Sequence, residues 1–326
     1  MNLKGIAGII WQYFSLWINT IYDLHRYFRY SASKWRTHSD EQLMARILQK
    51  THSIEKGLAM PTIRPGFGVS PLLELEQMLT EFESRQLDRT EVAFISASHA
   101  ISAYFNYHDS SNLPTAIEVE SLRKFAALSP NTNLGGAFFR NSEDTHTLAR
   151  GDFRTLLQAR RSVRMFDDHP PNLASIYEAI EFAGRSPSVC NRQGCRVTIV
   201  TDPKLLSAIL KIQGGNRGFS EEIPSVLIVT SKLGIFRGAR ERNQGWIDGG
   251  LFSMTLLYSL TYLGLGSCPL NWSATARQDK LLRSTVNIPA DENVIMLIAA
   301  GNLRQDFRIA SSARLDLNSL VSHHYH

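Results

Sequence analysis

The chain has little cysteine: Cys190, Cys195 and Cys268 are the only three in 326 residues. So sparse and odd a set excludes a disulfide scaffold and fits a reducing compartment. Cys190 and Cys195 have neither C-x-x-C spacing nor paired histidines, so no metal site is expected. The terminal His323-His324-Tyr325-His326 reads as a frayed tail. Although the formal net charge is +5, there is no long lysine or arginine block and no aromatic-rich binding motif, which argues against a nucleic-acid partner. A Gly-x-Gly-x-x-Gly fingerprint is missing too, so a Rossmann cofactor fold is not indicated. No internal repeat or low-complexity run is evident.

Charge is also missing from residues 5–22. That stretch is near the lower length limit for a membrane span. Its polar or small residues, Gly8, Gln12, Ser15 and Asn19, recur nearly once per helical turn among Ile6, Ile10, Phe14, Trp17 and Ile21. Basic Arg26, Arg29, Lys34 and Arg36 follow. The pattern fits a helix lying in a membrane interface better than one spanning it, and residues 1–30 become a candidate membrane-surface contact. Docking on a dimer or on another protein is the competing reading. The stretch is too long and aromatic for a signal peptide and has no small-residue cleavage site. The basic flank would keep the rest of the chain on the cytoplasmic side, so a cytoplasmic location is expected.

The remaining composition is that of a globular protein. Hydrophobic residues make up 43%, enough for a sizeable core, and the length suggests more than one domain. Residues 38–150 read as a helical extension. Asp40 is placed to cap a helix through Leu43, Ile47 and Leu48; a second helix starts at Pro71, and a third runs from Thr90 to about Tyr107. Loops are expected at 109–114 and 129–136. His52, Glu55 and Lys56 share a helical face, which reads as a surface ion pair on a helix end closed by Gly57. Arg64 with Gly66 and Gly68 is a weak anion-loop candidate.

Residues 151–326 carry the motifs. A short helix over 152–159 leads into Arg160-Arg161-Ser162-Val163-Arg164-Met165-Phe166. Planar guanidinium forks suit phosphate oxygens because two donors bind two oxygens at once. A helix with Ile176, Ile180 and Ala183 on one face leads to Ser186-Pro187-Ser188-Val189-Cys190-Asn191-Arg192-Gln193, then a strand over 196–200. A polar loop between helix and buried strand is a usual place for ligand contacts. Next come Gly245-Trp246-Ile247-Asp248-Gly249-Gly250, a long apolar helix to Leu263, and Gly264-Leu265-Gly266-Ser267-Cys268-Pro269-Leu270-Asn271. The last is a strand over 294–300, followed by Gly301 and, later, Arg314.

In this order and spacing, the four segments resemble the nitroreductase family of FMN-dependent flavoproteins. The resemblance implies an α+β fold, a mixed, mainly antiparallel sheet flanked by helices, with residues 1–37 and 38–150 as a helical amino-terminal extension. It implies a homodimer with FMN in clefts between the two chains. Arg160, Arg161, Ser162 and Arg164 match positions around the FMN phosphate and ribityl chain, and Arg314 a basic position that also reaches the phosphate. Ser188, Asn191 and Gln193 match the loop that meets the flavin across the dimer. Pro269, Leu270 and Asn271 match a turn whose backbone lies beside the isoalloxazine ring. The chain departs from the pattern at Gly194-Cys195, where Pro-Trp is frequent, and at Asn271, where an acid is frequent. No catalytic side chain is expected, because the redox chemistry belongs to the flavin. Two functions follow. One is an oxidoreductase passing electrons from NADH or NADPH, by a ping-pong route, to a small-molecule acceptor such as a nitroaromatic or quinone-like compound. The other is a non-catalytic or regulatory flavin-fold protein acting through its extension, at a membrane or a polysaccharide-synthesis complex.

Overall fold

The computed structural model describes residues 3–30, 39–127, 133–236 and 239–324. Its helices are α1 (Leu3–Tyr30), α2 (Asp40–Leu58), α3 (Val69–Ser84), α4 (Val92–Ser110), α5 (Ser142–Ala149), α6 (Phe153–Ala159), α7 (Leu173–Ala183), α8 (Pro203–Gln213), α9 (Gln244–Tyr262), α10 (Ala276–Val286) and α11 (Leu317–Leu320). Its strands are β1 (Ala137–Asn141), β2 (Cys195–Val200), β3 (Ser225–Lys232), β4 (Leu265–Asn271), β5 (Glu292–Asn302) and β6 (Asp306–Ala310). The mixture of helix and antiparallel sheet is the expected α+β class. The basic positions Lys34 and Arg36, and residues 129–132 of the expected 129–136 loop, lie outside the described residues.

The chain forms two compact units, each built from two segments. One comprises Met1–Arg29 and Arg140–Phe307, the other Tyr30–Phe139 and Arg308–His326. The units do not follow a linear division at residues 37 and 150. β1 pairs with β6, so residues far apart in sequence are joined where the chain passes from one unit to the other.

In the first unit a four-stranded sheet has the order β2-β3-β5-β4, every neighbouring pair antiparallel. β3 is buried over almost its whole length, as expected of a central strand covered on both faces. α7 and α9 pack on one face through Ile176, Ala183, Leu256 and Leu260, against Leu227, Val229 and Ile298 of the sheet. Gly249 permits this close approach, since a Cβ there would lie 2.6 Å from Ile295 Cγ1. Local signals set the helix ends. Asp202 caps α8 at Leu205 N–H, with Pro203 in the first turn and Gly214 left-handed after the last. Thr275 and Gln278 form a capping box on α10.

The second unit is a helical cluster of α2, α3, α4 and a 3-10 segment, Ile117–Phe125, around Leu43, Leu75, Phe82, Ile101 and Tyr104. Here the structure corrects several expectations. Ser39, not Asp40, caps α2, accepting from Gln42 N–H at 3.2 Å, and Asp40 is the first helical residue. α2 continues through Gly57 to Leu58. Gly57 serves packing instead, since a Cβ there would overlap the Phe67 ring at 2.0 Å. The His52–Glu55 pair, at 3.4 Å, is no surface pair on the acid's side, because Glu55 is only 2% exposed. Gly66 N–H donates to Nε2 of buried His108, whose Nδ1 faces the Tyr104 carbonyl at 2.8 Å. That amide is therefore committed within the fold and is not available to an anion.

Candidate functional site

The arginine segment runs beside the sheet edge. Ser162 forms a parallel bridge with Ser267 of β4, and Val163 N–H donates to the Ser267 carbonyl at 2.9 Å. Apolar Val163 and Phe166 are buried and fix the segment, and Phe166 bridges to Leu303. Asp152 caps the start of α6 through Thr155 N–H; the helix ends at Ala159, where Arg160 turns extended and opens the run. Arg164 is 4% exposed, an extreme burial for a guanidinium. Its Nη1 donates to the Ser162 carbonyl at 3.3 Å, but among the described residues its Nε has no hydrogen-bond partner, and neither does the buried Ser267 Oγ. Buried donors without partners are costly, and two beside one segment mark a place where an oxygen-rich ligand would satisfy them. Arg160 and Arg161 are half-buried on the same run.

Pro269, Leu270 and Asn271 do not form a turn. They end strand β4, paired to Ile298, Leu297 and Met296 of β5. β4 is an edge strand, where a proline is tolerated because it owes no hydrogen bond to a further strand. Ser267 directs its carbonyl away from β5, so strand alternation turns the backbones of Pro269 and Asn271 the same way. Proline has no N–H, which leaves Asn271 as the outward amide donor of the three. Its carbonyl already accepts from Gln213 Nε2 at 3.0 Å.

The loop before β2 is held in an unusual shape. Cys190, Asn191 and Gln193 have φ of 49, 53 and 51°. Three non-glycine residues in the left-handed region persist only when their surroundings over-determine them. Those surroundings are visible. Asp248, 2% exposed, accepts from Val189 N–H at 3.2 Å and from Gln244 Nε2 at 2.8 Å. Gln193 N–H donates to Ser188 Oγ at 2.9 Å, and Gln193 Nε2 to the Asn191 side-chain oxygen at 3.2 Å. Arg192 forms a two-point ion pair with Glu241 at 2.9 and 3.0 Å and also reaches the Ile235 carbonyl. A cleft of about 270 Å³ opens here, lined by Pro187, Ser188, Gln193, Cys195, Asp248 and Phe252. Burial, followed by the Asp248 charge, pushes the Cys195 thiol up to about 11. Cys190 is exposed and Cys268 is buried.

These groups do not converge within one chain. Ser162 and Pro269 lie along β4, whereas residues 188–193 lead into β2 at the opposite edge of the sheet. Registers place Ser267 level with Ala300 and Ser225, beyond the Val200 end of β2, and the loop at its Cys195 end. Three strand spacings and six residue rises separate Ser267 from Cys195, roughly 25 Å on the diagonal. Arg314 belongs to the other unit, where its Nη1 donates to the Ser312 carbonyl at 2.6 Å. The sequence reading missed Asp248, Glu241 and Ser267 as site-forming residues. Asp248 and Ser267 had signals in their Asp-Gly-Gly and Gly-Leu-Gly-Ser-Cys settings, but Glu241 had none. A larger hollow of about 850 Å³ beside α8, lined by Asp168, Lys211, Arg217 and Glu221, holds none of the motif residues.

Residues 157–215 and 208–302 match the Nitroreductase family. No curated protein matches the chain. Among solved structures, an FMN-dependent nitroreductase of Clostridium difficile R20291 is 19% identical, with 45% of this chain and 86% of that one aligned at a TM-score of 0.40. A nitroreductase family protein of Clostridium difficile 630 is 18% identical over 54% and 99%, TM-score 0.45. Iodotyrosine deiodinase bound to FMN and 3-iodo-L-tyrosine is 23% identical over 46% and 89%, TM-score 0.38. These TM-scores are below 0.5, so the assignment rests on the family match and the ordered motifs: the segment 157–302 is a nitroreductase-family domain.

Proposed function

We propose that the protein is an FMN-dependent oxidoreductase that takes electrons from NADH or NADPH and delivers them, in ping-pong fashion, to an oxidised small molecule such as a nitroaromatic or quinone-like compound. The supporting observation is the buried Arg164 beside Ser267, each with a polar atom lacking a partner, on the segment where the family resemblance puts the cofactor. Bound FMN would supply the redox chemistry, accepting hydride from the nicotinamide and returning electrons to the acceptor. The chain's own residues bind and orient. Arg160, Arg161, Ser162 and Arg164 would offset the charge of a buried phosphate and ribityl chain with charge-assisted hydrogen bonds. On the family resemblance Arg314 would add to them. Asn271 N–H, the outward donor at the end of β4, would face the ring and favour electron density on it. Ser188, Asn191 and Gln193 would come from a second copy.

The dimer is part of this proposal for a geometric reason. The two motif groups sit at opposite edges of one sheet, so a single cleft takes both only if another chain supplies one of them. α9 offers a surface for it. Phe252, Leu256, Leu257 and Leu260 are buried in the chain's own core, while Trp246, Ile247, Leu251 and Tyr262 stand exposed. An apolar helix with one face in its core and the other in solvent is the expected form of a subunit interface.

The test is direct. Purified protein should show twin flavin bands, release one FMN per chain on denaturation, and consume NADH or NADPH in air. Protein that stays colourless after reconstitution with FMN would overturn the proposal. Yellow protein inert to both nicotinamides would instead favour a regulatory flavin-fold protein.

A further inference from the structure

We infer that α1 is a peripheral membrane anchor that lies on a bilayer surface containing anionic lipid. Ten large apolar side chains from Ile9 to Leu24 are exposed, among them Trp11 at 67%, Tyr13 at 74% and Trp17 at 62%. A run this dense is not the scatter of single apolar residues found on ordinary surfaces. The helix is unbroken from Leu3 to Tyr30, and no helix among the described residues is long and apolar enough to cross a membrane.

The sequence periodicity gives the orientation. Gly8, Gln12, Ser15 and Asn19 are followed by Asp23 and Arg26 at the same spacing, close to 3.6 residues per step across the helix. A narrow polar stripe thus runs along one side, with Ile10, Trp17, Ile21 and Leu24 on the opposite side. A helix with this division sits parallel to the surface, with its stripe toward water and its aromatic residues at headgroup depth.

Charge identifies the surface. Residues 1–37 contain five basic residues, Lys4, Arg26, Arg29, Lys34 and Arg36, against the single acid Asp23. That net +4 is nearly all of the chain's +5, and it lies in the segment that exposes the apolar face. A protein partner would need only the apolar face. The coincidence of basic charge with tryptophan and tyrosine is the complement of an anionic headgroup layer.

The experiment is flotation of full-length protein with phosphatidylcholine vesicles containing about one third phosphatidylglycerol, beside pure phosphatidylcholine vesicles, at low and high salt. Partition should be at least about tenfold stronger on the anionic vesicles and fall with salt. Ile10→Asp with Trp17→Asp should abolish it while leaving circular dichroism unchanged. No flotation with anionic vesicles, equal flotation with both, or an unaffected double variant would each overturn the inference. If the wild type ignores vesicles and the double variant lowers the mass seen by light scattering, α1 is a contact between copies of this chain instead.

Discussion

The Asp248 carboxylate accepts the Val189 backbone N–H at 3.2 Å, tying the start of α9 to the loop before β2. That bond fixes a loop with three left-handed non-glycine residues. Replacing Asp248 with alanine leaves two partly buried donors, Val189 N–H and the Gln244 amide, without their acceptor. The cost is about 1–3 kcal/mol. Thermal melting should fall by several degrees, and FMN affinity by about tenfold, because the loop is no longer held ready. Asp248→Asn keeps one acceptor and should recover much of both. Wild-type FMN affinity in Asp248→Ala, measured by flavin fluorescence titration, would show that the loop does not contribute to binding.

Arg164→Ala removes the most deeply buried guanidinium of the arginine run. Losing a charge-assisted contact should lower FMN affinity ten- to a hundredfold, about 1.5–3 kcal/mol, and yield largely colourless but folded protein. Arg314→Ala, made alongside, separates the two assignments: a comparable loss would place Arg314 on the cofactor, and full occupancy would leave it with its Ser312 contact alone. Full occupancy in Arg164→Ala would remove that residue from the site.

Ile247→Asp with Leu251→Asp puts charge on the exposed face of α9 and leaves its buried face untouched. The expected outcome is a monomer by light scattering that has also lost its flavin, since each cleft would lack the partner's loop. A flavin-loaded monomer, from this variant or from the wild type at micromolar concentration, would refute the shared site.

Asp167 and His169 form an exposed pair next to the arginine run, with a second bond from His169 N–H to Asp167 Oδ1 at 2.8 Å. The pair raises the His169 ring above its usual 6.5, while the His169 backbone N–H and ring lower Asp167 below its usual 3.8. The histidine's contribution is complete below about pH 6.5 and disappears as pH rises through its raised value. The aspartate's contribution is complete above about pH 4 and is lost as pH falls through its lowered value. The pair therefore acts between these limits, and only weakly because it is solvated. Histidine ring NMR should titrate above 6.5 and shift back in Asp167→Asn; an unchanged midpoint would rule out the pairing.

The motifs were legible because each is local. Asp152 and the apolar spacing of α7 announce their elements, and the ordered motifs identify the domain. What the sequence could not show depends on distant partners. Pro269 and Asn271 look like a turn because the strand that accepts them, β5, is more than twenty residues away. Glu55 looks like a surface acid because the packing of α2 on α4 decides its burial. Glu241 looks like any acid because its partner, Arg192, comes from another loop. The placement of Arg314 with residues 30–139 depends on the pairing of β1 with β6, which no local pattern announces.

The contrast among the three thiols makes the left-handed loop addressable by chemistry. Maleimides attack thiolates, and at neutral pH Cys195 is kept protonated and Cys268 is shielded. Cys190, exposed at the bend itself, is left as the preferred target. A spin label or fluorophore could therefore be attached to the native chain without engineering, next to Asn191 and Gln193. It would follow subunit pairing as a distance between two copies of one residue.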